Sequence, residues 1–332
     1  MIHSPPASES DHQSPCIVVP VYNDWTALDV LLPLLDDALR SAGLRARLLI
    51  VDDGSTALQH IEWSERRFQA VESVDILELR RNLGHQRAIA VGLAYLEAHI
   101  PTQTIVIMDG DGEDTPTDVP KLLERYEAGN RQSIVFAERR RRSESVTFRA
   151  LYALYRCLHL LLTGHRVRVG NFSVLPRHLL YRLVVVSELW SHYAAAVFKA
   201  RLPHVAVPTT RAKRLGGRSS MSYVSLVVHG MSAISVYSDV VGVRALVASL
   251  ALALLSAAAI TVVFVVRVFT TLAIPGWATL TTGILLVILL QVTIVSLLFS
   301  FTILANRQGF LFVPTRDYGH FVDRLAHVYP TR

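Results

Sequence analysis

Two long apolar segments in the C-terminal third of the chain limit its architecture more than any other feature. Residues 245–266 contain no charged side chain, and a second uncharged segment has its most apolar part at about residues 284–305. Crossing the hydrocarbon core of a bilayer takes about 20 predominantly apolar residues. Between the segments, the Pro-Gly-Trp sequence at 275–277 indicates a tight turn with an interfacial aromatic side chain. The sequence therefore predicts a transmembrane hairpin over residues 244–306, because both segments exceed the length of a typical core helix.

The residues that flank the hairpin predict its orientation. Arg244 precedes the first segment and Arg307 follows the second, whereas Arg267 at the far end does not fit the pattern. Basic residues concentrate on the cytoplasmic side of membrane proteins. Residues 1–15 are polar and lack the apolar stretch of a signal peptide, so we expect a disordered N-terminus. We predict a multi-pass protein of the inner, cytoplasmic membrane, with a cytoplasmic catalytic domain and a cytoplasmic tail over residues 307–332.

Ahead of the hairpin, the chain alternates short apolar runs with segments of helical length. Such alternation predicts an α/β domain with a mostly parallel sheet and helices on both faces. The predicted strands are CIVVPVY, ARLLIVDD, VDILELR, TIVIMD and SIVFA, and the predicted helices are Trp25–Ser41, Gln86–His99 and Asp118–Ala128. We place this domain at residues 16–220 and predict an amphipathic juxtamembrane helix over residues 221–243. Leucines at helical spacing between residues 151 and 162 indicate either a core helix or a helix on the membrane surface.

The charge of the chain is moderately basic, with 33 Lys and Arg against 27 Asp and Glu, a net charge of +6. A basic excess is typical of proteins that bind nucleic acid, anionic lipid or phosphate ligands. With a predicted membrane hairpin in the same chain, lipid headgroups and phosphates explain this excess more simply than nucleic acid does. The sequence therefore predicts the membrane, and no nucleic acid, as a partner.

Four carboxylates follow one predicted strand in the stretch VIMDGDGEDTP, at Asp109, Asp111, Glu113 and Asp114. Acidic residues after a strand often cap a helix or face water, which suits Asp114. That explanation does not suit Asp109 and Asp111, since open α/β sheets bind ligands beyond the carboxyl ends of their strands. Two hard oxygen ligands fit Mg²⁺ or Mn²⁺, and Mg²⁺ is usually held by one or two carboxylates plus substrate phosphates. The stretch therefore predicts a site for a metal and a diphosphate.

Two further polar clusters, PVYND and VDDGS, follow the first and second predicted strands. In the second cluster, Asp52 is placed to accept hydrogen bonds from a base or ribose, and Gly54 allows close approach of backbone and ligand. Each cluster alone is weak evidence, because turns rich in Asp, Gly and Ser are common.

Together these stretches resemble the successive motifs of inverting family-2 glycosyltransferases with the GT-A fold. VVPVYND, LLIVDDGS, LRRNLGHQRAIAVGL and IVIMDGDGEDTP are similar to motifs of the polyisoprenyl-phosphate glycosyltransferases, the dolichyl-phosphate mannose synthase-like group. That group usually reads DADLQDPP where this chain reads DGDGEDTP. GNFSVLPRHLL and VPTTRAKRLGGRSSMSY resemble its later segments, and a C-terminal transmembrane pair is typical of its bacterial GtrB-like branch. The resemblance covers roughly residues 15–310.

The resemblance implies roles for the residues of the donor site. Residues expected to bind the nucleotide sugar are Pro20, Tyr22, Asn23, Asp52, Asp53, Asp109 and Gly110. Asp109 and Asp111 would hold Mg²⁺ or Mn²⁺ and the diphosphate, and Glu113 stands at the family's Gln position as a further metal contact. Asp111 is thereby the expected catalytic residue. Asp114 is the second catalytic candidate, as a base or as a residue that positions the acceptor.

The RAKRLGGRSS stretch provides a concentration of cations just ahead of the hairpin. A lipid phosphate needs cations to place it rather than a base to deprotonate it, because its second pKa is about 6. The residues of this stretch expected to hold the acceptor phosphate are Arg211, Lys213, Arg214, Arg218 and Ser219. The resemblance adds Arg139, because members of the family have an arginine near that position. A juxtamembrane arginine also suits contact with anionic headgroups, so each single residue has this alternative.

The resemblance implies an enzyme that transfers a sugar, with inversion, from a GDP- or UDP-linked donor to undecaprenyl or dolichyl phosphate. Related bacterial enzymes form homo-oligomers, so a second copy of the chain is an expected partner. The enzymatic alternative is a family-2 transferase that elongates a glycolipid or polysaccharide, although the Q-x-x-R-W motif of processive synthases is absent from the sequence. The non-enzymatic alternative is a membrane scaffold that binds sugar nucleotides without catalysis.

Overall fold

The computed structural model describes residues 14–56, 63, 66–139, 157–164, 169–210, 212, 214–216, 230–270, 276–308 and 312–330, with the backbone alone at 139 and 303–308. Most of the predicted disordered N-terminus and residues 221–229 of the predicted juxtamembrane helix lie outside these ranges. The chain divides into two compact units. The first comprises Met1–Tyr152, Arg166–Val236 and Leu311–Arg332, and the second comprises Ala153–His165 and Tyr237–Phe310.

A mixed sheet organises the first unit. Its strands are β1 (Cys16–Val21), β2 (Ala46–Asp52), β3 (Val71–Leu79), β4 (Thr104–Ile107), β5 (Ile134–Arg139), β6 (Val169–Pro176), β7 (His204–Thr209) and β8 (Val322–Tyr329). Among the described residues they form one eight-stranded sheet in the order β7-β5-β6-β4-β1-β2-β3-β8. The central strands β4, β1, β2 and β3 are parallel to one another, and β5 is parallel to β7. The predicted α/β class with a mostly parallel sheet is therefore confirmed.

Helices cover both faces of the sheet. They are α1 (Trp25–Ser41), α2 (His85–His99), α3 (Asp118–Ala128), α4 (Arg177–Leu183) and α5 (Tyr193–Lys199), with short helical turns at Ser187–Trp190, Pro314–Asp317 and Tyr318–His320. Because both faces are covered, β1 and β4 at the middle of the sheet are buried along their whole length rather than at alternate residues. On β1, Ile17 and Val19 belong to the same apolar cluster as α1, while Val18 packs in the opposite cluster with α2.

The last strand, β8, was not predicted from the sequence. It pairs antiparallel with β3 at one edge of the sheet, and Nε of Arg324 donates to Oε2 of Glu78 at 2.8 Å. The sequence predicted a cytoplasmic tail over residues 307–332, whereas the structure places residues 322–329 in the same sheet as the predicted site. The chain therefore returns to the first unit after the second one.

The second unit is dominated by two long helices, α6 (Ser238–Phe269) and α7 (Trp277–Gln308). By length and composition, Ser238–Phe269 and Trp277–Thr302 are both able to cross a membrane. Most of their large apolar side chains are exposed, as lipid-facing side chains would be. Residues 157–163 also form a helix in this unit, and Leu158 and Leu161 on it are exposed. That exposure favours a surface helix over a core helix for this segment.

Candidate active site

The loops after β1, β2 and β4 meet at one edge of the sheet, where the sequence predicts the site. These strands are parallel neighbours, so their carboxyl ends lie together. The backbone N–H of Asp53 donates to the carbonyl of Val21 at 2.8 Å, which joins the first two loops. The N–H of Met108 donates to the carbonyl of Val18 at 3.2 Å and sets the start of the third loop. The predicted donor residues are therefore brought to one place.

Asn23 and Asp52 fix the two loops on the nucleotide side. Asn23 has a positive φ of 54°, and its Oδ1 accepts a hydrogen bond from the backbone N–H of Thr56 at 2.8 Å. The buried carboxylate of Asp52 accepts the N–H of Ser55 at 2.9 Å through Oδ1. The Tyr22 side chain is exposed at this edge. The geometry gives Asn23 and Asp52 a clear role in shaping the loops, and leaves the Tyr22 ring accessible.

Pro20 and Gly110 are placed by packing. Pro20 lies within β1, opposite Val51 of β2. A Cβ atom at Gly110 would lie 3.1 Å from Cγ1 of Val19 and 3.2 Å from Cγ2 of Val21. A side chain at position 110 would therefore press on β1, so glycine lets the third loop lie close to that strand.

Asp53 joins the second loop to the loop before α2. Its two carboxylate oxygens accept the backbone N–H groups of Leu83 at 2.7 Å and Gly84 at 2.8 Å. Burial raises the pKa of Asp53, while these two N–H groups and His85 act in the opposite direction. Gly54 follows with a φ of +68°, and a Cβ there would lie 2.6 Å from the backbone of Arg81. Asp53 thus holds the second loop against the loop before α2, and its expected contact with the nucleotide sugar stays a prediction.

The loop from Asp109 to Asp114 is held by its own carboxylates. Asp114 is buried, and its Oδ2 accepts the backbone N–H of Asp109 at 3.0 Å. Oδ1 of Asp111 accepts the N–H of Glu113 at 3.0 Å. Gly112, between them, has a φ of +79°. The loop therefore directs the partly exposed side chains of Asp109 and Asp111 outwards while Asp114 stays inside it.

His85 is a neighbour of Asp109 to which the sequence pattern assigns no firm role. Its Nε2 lies 3.2 Å from Oδ1 of Asp109, and its side chain is 42% exposed. Partial loss of water around the ring would lower the pKa of His85, but the carboxylates of Asp109, Asp111 and Asp114 together outweigh this effect and raise it.

A buried amide chain orients His85. The backbone N–H of Tyr193, at the start of α5, donates to Oε1 of Gln86 at 2.8 Å, so the Gln86 amide has a fixed direction. Nε2 of Gln86 then donates to Oδ1 of Asn171 at 3.1 Å, and Nδ2 of Asn171 lies 3.0 Å from Nε2 of His85. These contacts link β6 and α5 to the acidic loop, as we call residues Asp109–Asp114, through side chains distant in sequence.

The described part of the predicted acceptor segment lies on the acidic loop. The backbone N–H groups of Ala212 and Leu215 donate to the carbonyls of Glu113 at 3.1 Å and Asp111 at 3.0 Å, respectively. Nη1 of Arg214 donates to Oδ2 of Asp111 at 3.2 Å. Outside the described residues lie Arg211, Lys213, Arg218, Ser219 and the side chain of Arg139. Of the predicted acceptor residues, Arg214 is thus the one whose side chain the structure places at the site.

The carboxylates of Asp109 and Asp111 are chemically suited to a divalent cation. Both are hard oxygen ligands, partly exposed at the ligand-binding edge of the sheet. Among the described residues, no three His, Cys, Asp or Glu side chains are grouped to hold a metal by themselves. Two carboxylates of this kind are compatible with Mg²⁺, which proteins usually hold with one or two carboxylates plus substrate phosphates.

Comparison with known families identifies the class of this protein. Residues 16–184, just over half of the chain, match the family model described as glycosyl transferase family 2. The chain therefore belongs to glycosyltransferase family 2, and its first unit is a GT-A-like α/β domain. It is accordingly a glycosyltransferase.

Curated relatives and solved structures show similarity over differing lengths. An uncharacterized glycosyltransferase of Bacillus subtilis (strain 168), YkcC, is 26% identical over 82% of this chain and 83% of its own length. An undecaprenyl-phosphate 4-deoxy-4-formamido-L-arabinose transferase of Klebsiella pneumoniae (strain 342) is 25% identical over 64% of this chain, and the match spans 63% of that relative. Glucosyl-3-phosphoglycerate synthase from Mycobacterium tuberculosis, solved with Mn²⁺, UDP-glucose and phosphoglyceric acid, has a TM-score of 0.46 at 17% identity, covering 72% of this chain and 86% of that one.

Proposed function

We propose that this glycosyltransferase transfers a sugar from a GDP- or UDP-linked donor to the phosphate of a polyprenyl lipid, with inversion, at the cytoplasmic face of a membrane. The observation that carries the proposal is the docking of the basic segment on the acidic loop. Arg214 and the backbone of Ala212 and Leu215 contact the residues that would hold the donor diphosphate. An anionic acceptor bound by that segment would lie next to the donor. The printed activity of the Klebsiella relative supports the same acceptor class.

The chemistry needs little from a general base. An oxygen of the lipid phosphate, already largely ionised at neutral pH, attacks the anomeric carbon of the donor sugar. The bond from that carbon to the diphosphate breaks, its electron pair leaves with the nucleoside diphosphate, and the anomeric configuration inverts. A divalent cation held by Asp109 and Asp111 would neutralise the charge that develops on this leaving group.

The chain's own residues position these groups. We assign Asp52, Asn23 and Tyr22 to the nucleoside end of the donor, and Arg214 to the acceptor side. The buried position of Asp114 and its hydrogen bond from the Asp109 backbone support a role in holding the acidic loop rather than in taking a proton.

The order of the elements supports placing the α/β domain and β8 on one side of the membrane. β7 precedes α6 and β8 follows α7, yet both strands belong to the same sheet. If α6 and α7 each cross the bilayer once, the chain returns to the side from which it left. This is the arrangement that the flanking arginines predict.

The deciding experiment presents purified full-length protein with radiolabelled sugar nucleotides, Mn²⁺ and undecaprenyl phosphate. We expect one donor to transfer label to the organic phase, and undecaprenol, which lacks the phosphate, to accept none. Label that appears only on an added glycolipid or polysaccharide would instead support the elongating alternative. Donor binding with neither transfer nor hydrolysis would support the scaffold.

A further inference from the structure

Asp24 lies directly before α1, but its side chain does not cap that helix. It occupies the N-cap position, where an aspartate ordinarily accepts a backbone N–H of the first turn, and makes no such hydrogen bond. Oδ2 of Asp24 instead accepts a hydrogen bond from Nη2 of Arg214, 190 residues further along the chain. The contact joins the loop between β1 and α1 to the segment around Arg214 that we assign to the acceptor.

All three nitrogens of the Arg214 guanidinium are engaged. Nη2 donates to Asp24, Nη1 donates to Oδ2 of Asp111 at 3.2 Å, and Nε donates to the carbonyl of Gly216 at 2.8 Å. The Arg214 side chain is 22% exposed, and those of Asp24 and Asp111 are 24% and 19% exposed. Because a guanidinium donates in a rigid plane, three acceptors in three directions fix its orientation as well as its place.

The charges of this triad explain why Asp24 and Arg214 depend on each other. Burial raises the pKa of Asp24, the Arg214 guanidinium acts against that shift, and the nearby Asp111 carboxylate adds to it. A cationic partner offsets part of the cost of burying a carboxylate as an anion, and removal of one partner leaves the other charge uncompensated. Arg214 in turn would keep one carboxylate, that of Asp111, if Asp24 were neutral.

We propose that Asp24 is a positioning residue for the acceptor, which it serves by holding Arg214 against the acidic loop. The inference rests on the proposed function, since it takes Arg214 to be the cation that meets the lipid phosphate. Asp24 acts through Arg214, so its loss should weaken acceptor binding and leave donor binding nearly unchanged.

Steady-state kinetics of Asp24→Asn test this role. We expect the KM for undecaprenyl phosphate to rise about tenfold, as for the loss of one charge-assisted hydrogen bond, while the KM for the sugar nucleotide changes less than about twofold. Asp24→Glu keeps the charge and should recover part of the loss. Asp37→Asn, on the exposed side of α1 where its carboxylate pairs with Arg40, is the matched control and should behave as wild type.

A double variant separates a specific contact from general damage. Asp24→Asn combined with Arg214→Gln should be no worse than Arg214→Gln alone, because both changes remove the same contact. Additive losses, or an equal rise in the KM for both substrates, would overturn the positioning role.

Amide hydrogen exchange provides a measurement that does not depend on activity. The N–H groups of Ala212 and Leu215 bond to the acidic loop, so they should exchange faster in Asp24→Asn than in wild type or Asp37→Asn. Unchanged exchange would refute the role of Asp24 whatever the kinetics. The two hypotheses can also fail separately. If exchange is faster in Asp24→Asn but the wild-type protein glycosylates no polyprenyl phosphate, the proposed function is refuted and the contact made by Asp24 is still established.

Discussion

Asp111 connects three features of the site through its side chain and its backbone carbonyl. Oδ1 accepts the backbone N–H of Glu113, Oδ2 accepts from Arg214, and the backbone carbonyl accepts the N–H of Leu215. A divalent cation bound by Asp111 must therefore share the carboxylate with Arg214 or displace its guanidinium. A divalent cation and the Arg214 guanidinium thus compete for the same carboxylate oxygens.

Asp111→Asn should reduce sugar transfer by at least about a hundredfold, because a neutral amide holds a divalent cation poorly while the shape of the loop is kept. Transfer of label to undecaprenyl phosphate measures the loss. A melting temperature equal to that of wild type would show that the fold is intact. Undiminished turnover in this variant would contradict the metal assignment.

Arg214→Gln should tighten the binding of Mn²⁺ in the absence of nucleotide, by about three- to tenfold, because it removes a competing positive charge from Asp111. Electron paramagnetic resonance of free Mn²⁺ in a titration measures the affinity without any turnover. Arg40→Gln, which removes an exposed arginine of α1 paired with Asp37, serves as the charge-matched control and should have no effect. An unaltered Mn²⁺ affinity in Arg214→Gln would mean that the guanidinium and the metal do not compete.

At the scale of elements, the turn at Gly112 decides how closely the acceptor segment approaches the acidic loop. A Cβ atom there would lie 2.3 Å from Cγ of Leu215, far closer than two non-bonded carbon atoms approach. The φ of +79° at Gly112 is also unfavourable for any residue with a side chain. Glycine at this position is needed for both reasons.

Gly112→Ala should therefore displace the segment at 214–216 and lower transfer to the lipid strongly. Adding Leu215→Ala removes the clashing Cγ, so the double variant should recover part of the activity. Gly43→Ala is the matched control for backbone strain alone, because Gly43 has a φ of +67° and nothing within 4 Å of its Cβ position. If Gly43→Ala and Gly112→Ala lose transfer equally, strain rather than the contact with Leu215 explains the effect.

The elements that the sequence predicted are those with a strong local pattern. β1 and β2 are continuous apolar runs that end at polar clusters, and the ends of α1 and α3 were predicted to the residue. β8 carries charged residues and is largely exposed, so its sequence has no apolar pattern to indicate a strand. It forms because β3 offers an unpaired edge, which is a property of the folded sheet.

In the site, too, residues with a local sequence pattern were predicted, whereas contacts between distant parts of the chain were not. Asp109 and Asp111 were predicted as metal ligands because two carboxylates separated by one residue, directly after a strand, can be recognised in the sequence itself. The ion pairs of Asp24 with Arg214 and of His85 with Asp109 join separate loops, and no local pattern encodes such a pair. The sequence thus predicts the loop that we propose to bind the metal, but not the side chains of other loops that contact it.

For the whole molecule, the shared sheet makes a prediction about membrane sidedness. In a Cys157→Ser background, which removes an exposed thiol and leaves the buried Cys16, single cysteines are placed by Asp37→Cys, Asp323→Cys and Trp277→Cys. On intact cells, a membrane-impermeant maleimide should label only the cysteine at position 277, at the start of α7. Positions 37 and 323 should react together, and only after the cells are opened.

A different labelling pattern would contradict the orientation in one of two ways. Labelling of positions 37 and 323 from outside would reverse the orientation of the protein. Position 323 lies in β8, which pairs with β3, and position 37 lies in α1, which packs against the same sheet. Labelling of position 323 without position 37 from outside the cell would therefore be incompatible with the pairing of β3 and β8. The second result would therefore refute the fold as well as the topology.

The place of β8 in the chain also has a consequence for biosynthesis. A ribosome makes this strand after both long helices. If those helices insert into the membrane as proposed, the edge of β3 stays open throughout their insertion. Only a chain whose C-terminal segment has remained on the side of its α/β domain is able to close that edge. A wrongly inserted copy would keep an unsatisfied row of backbone groups, the kind of surface that promotes aggregation. Completion of the sheet thus depends on correct insertion.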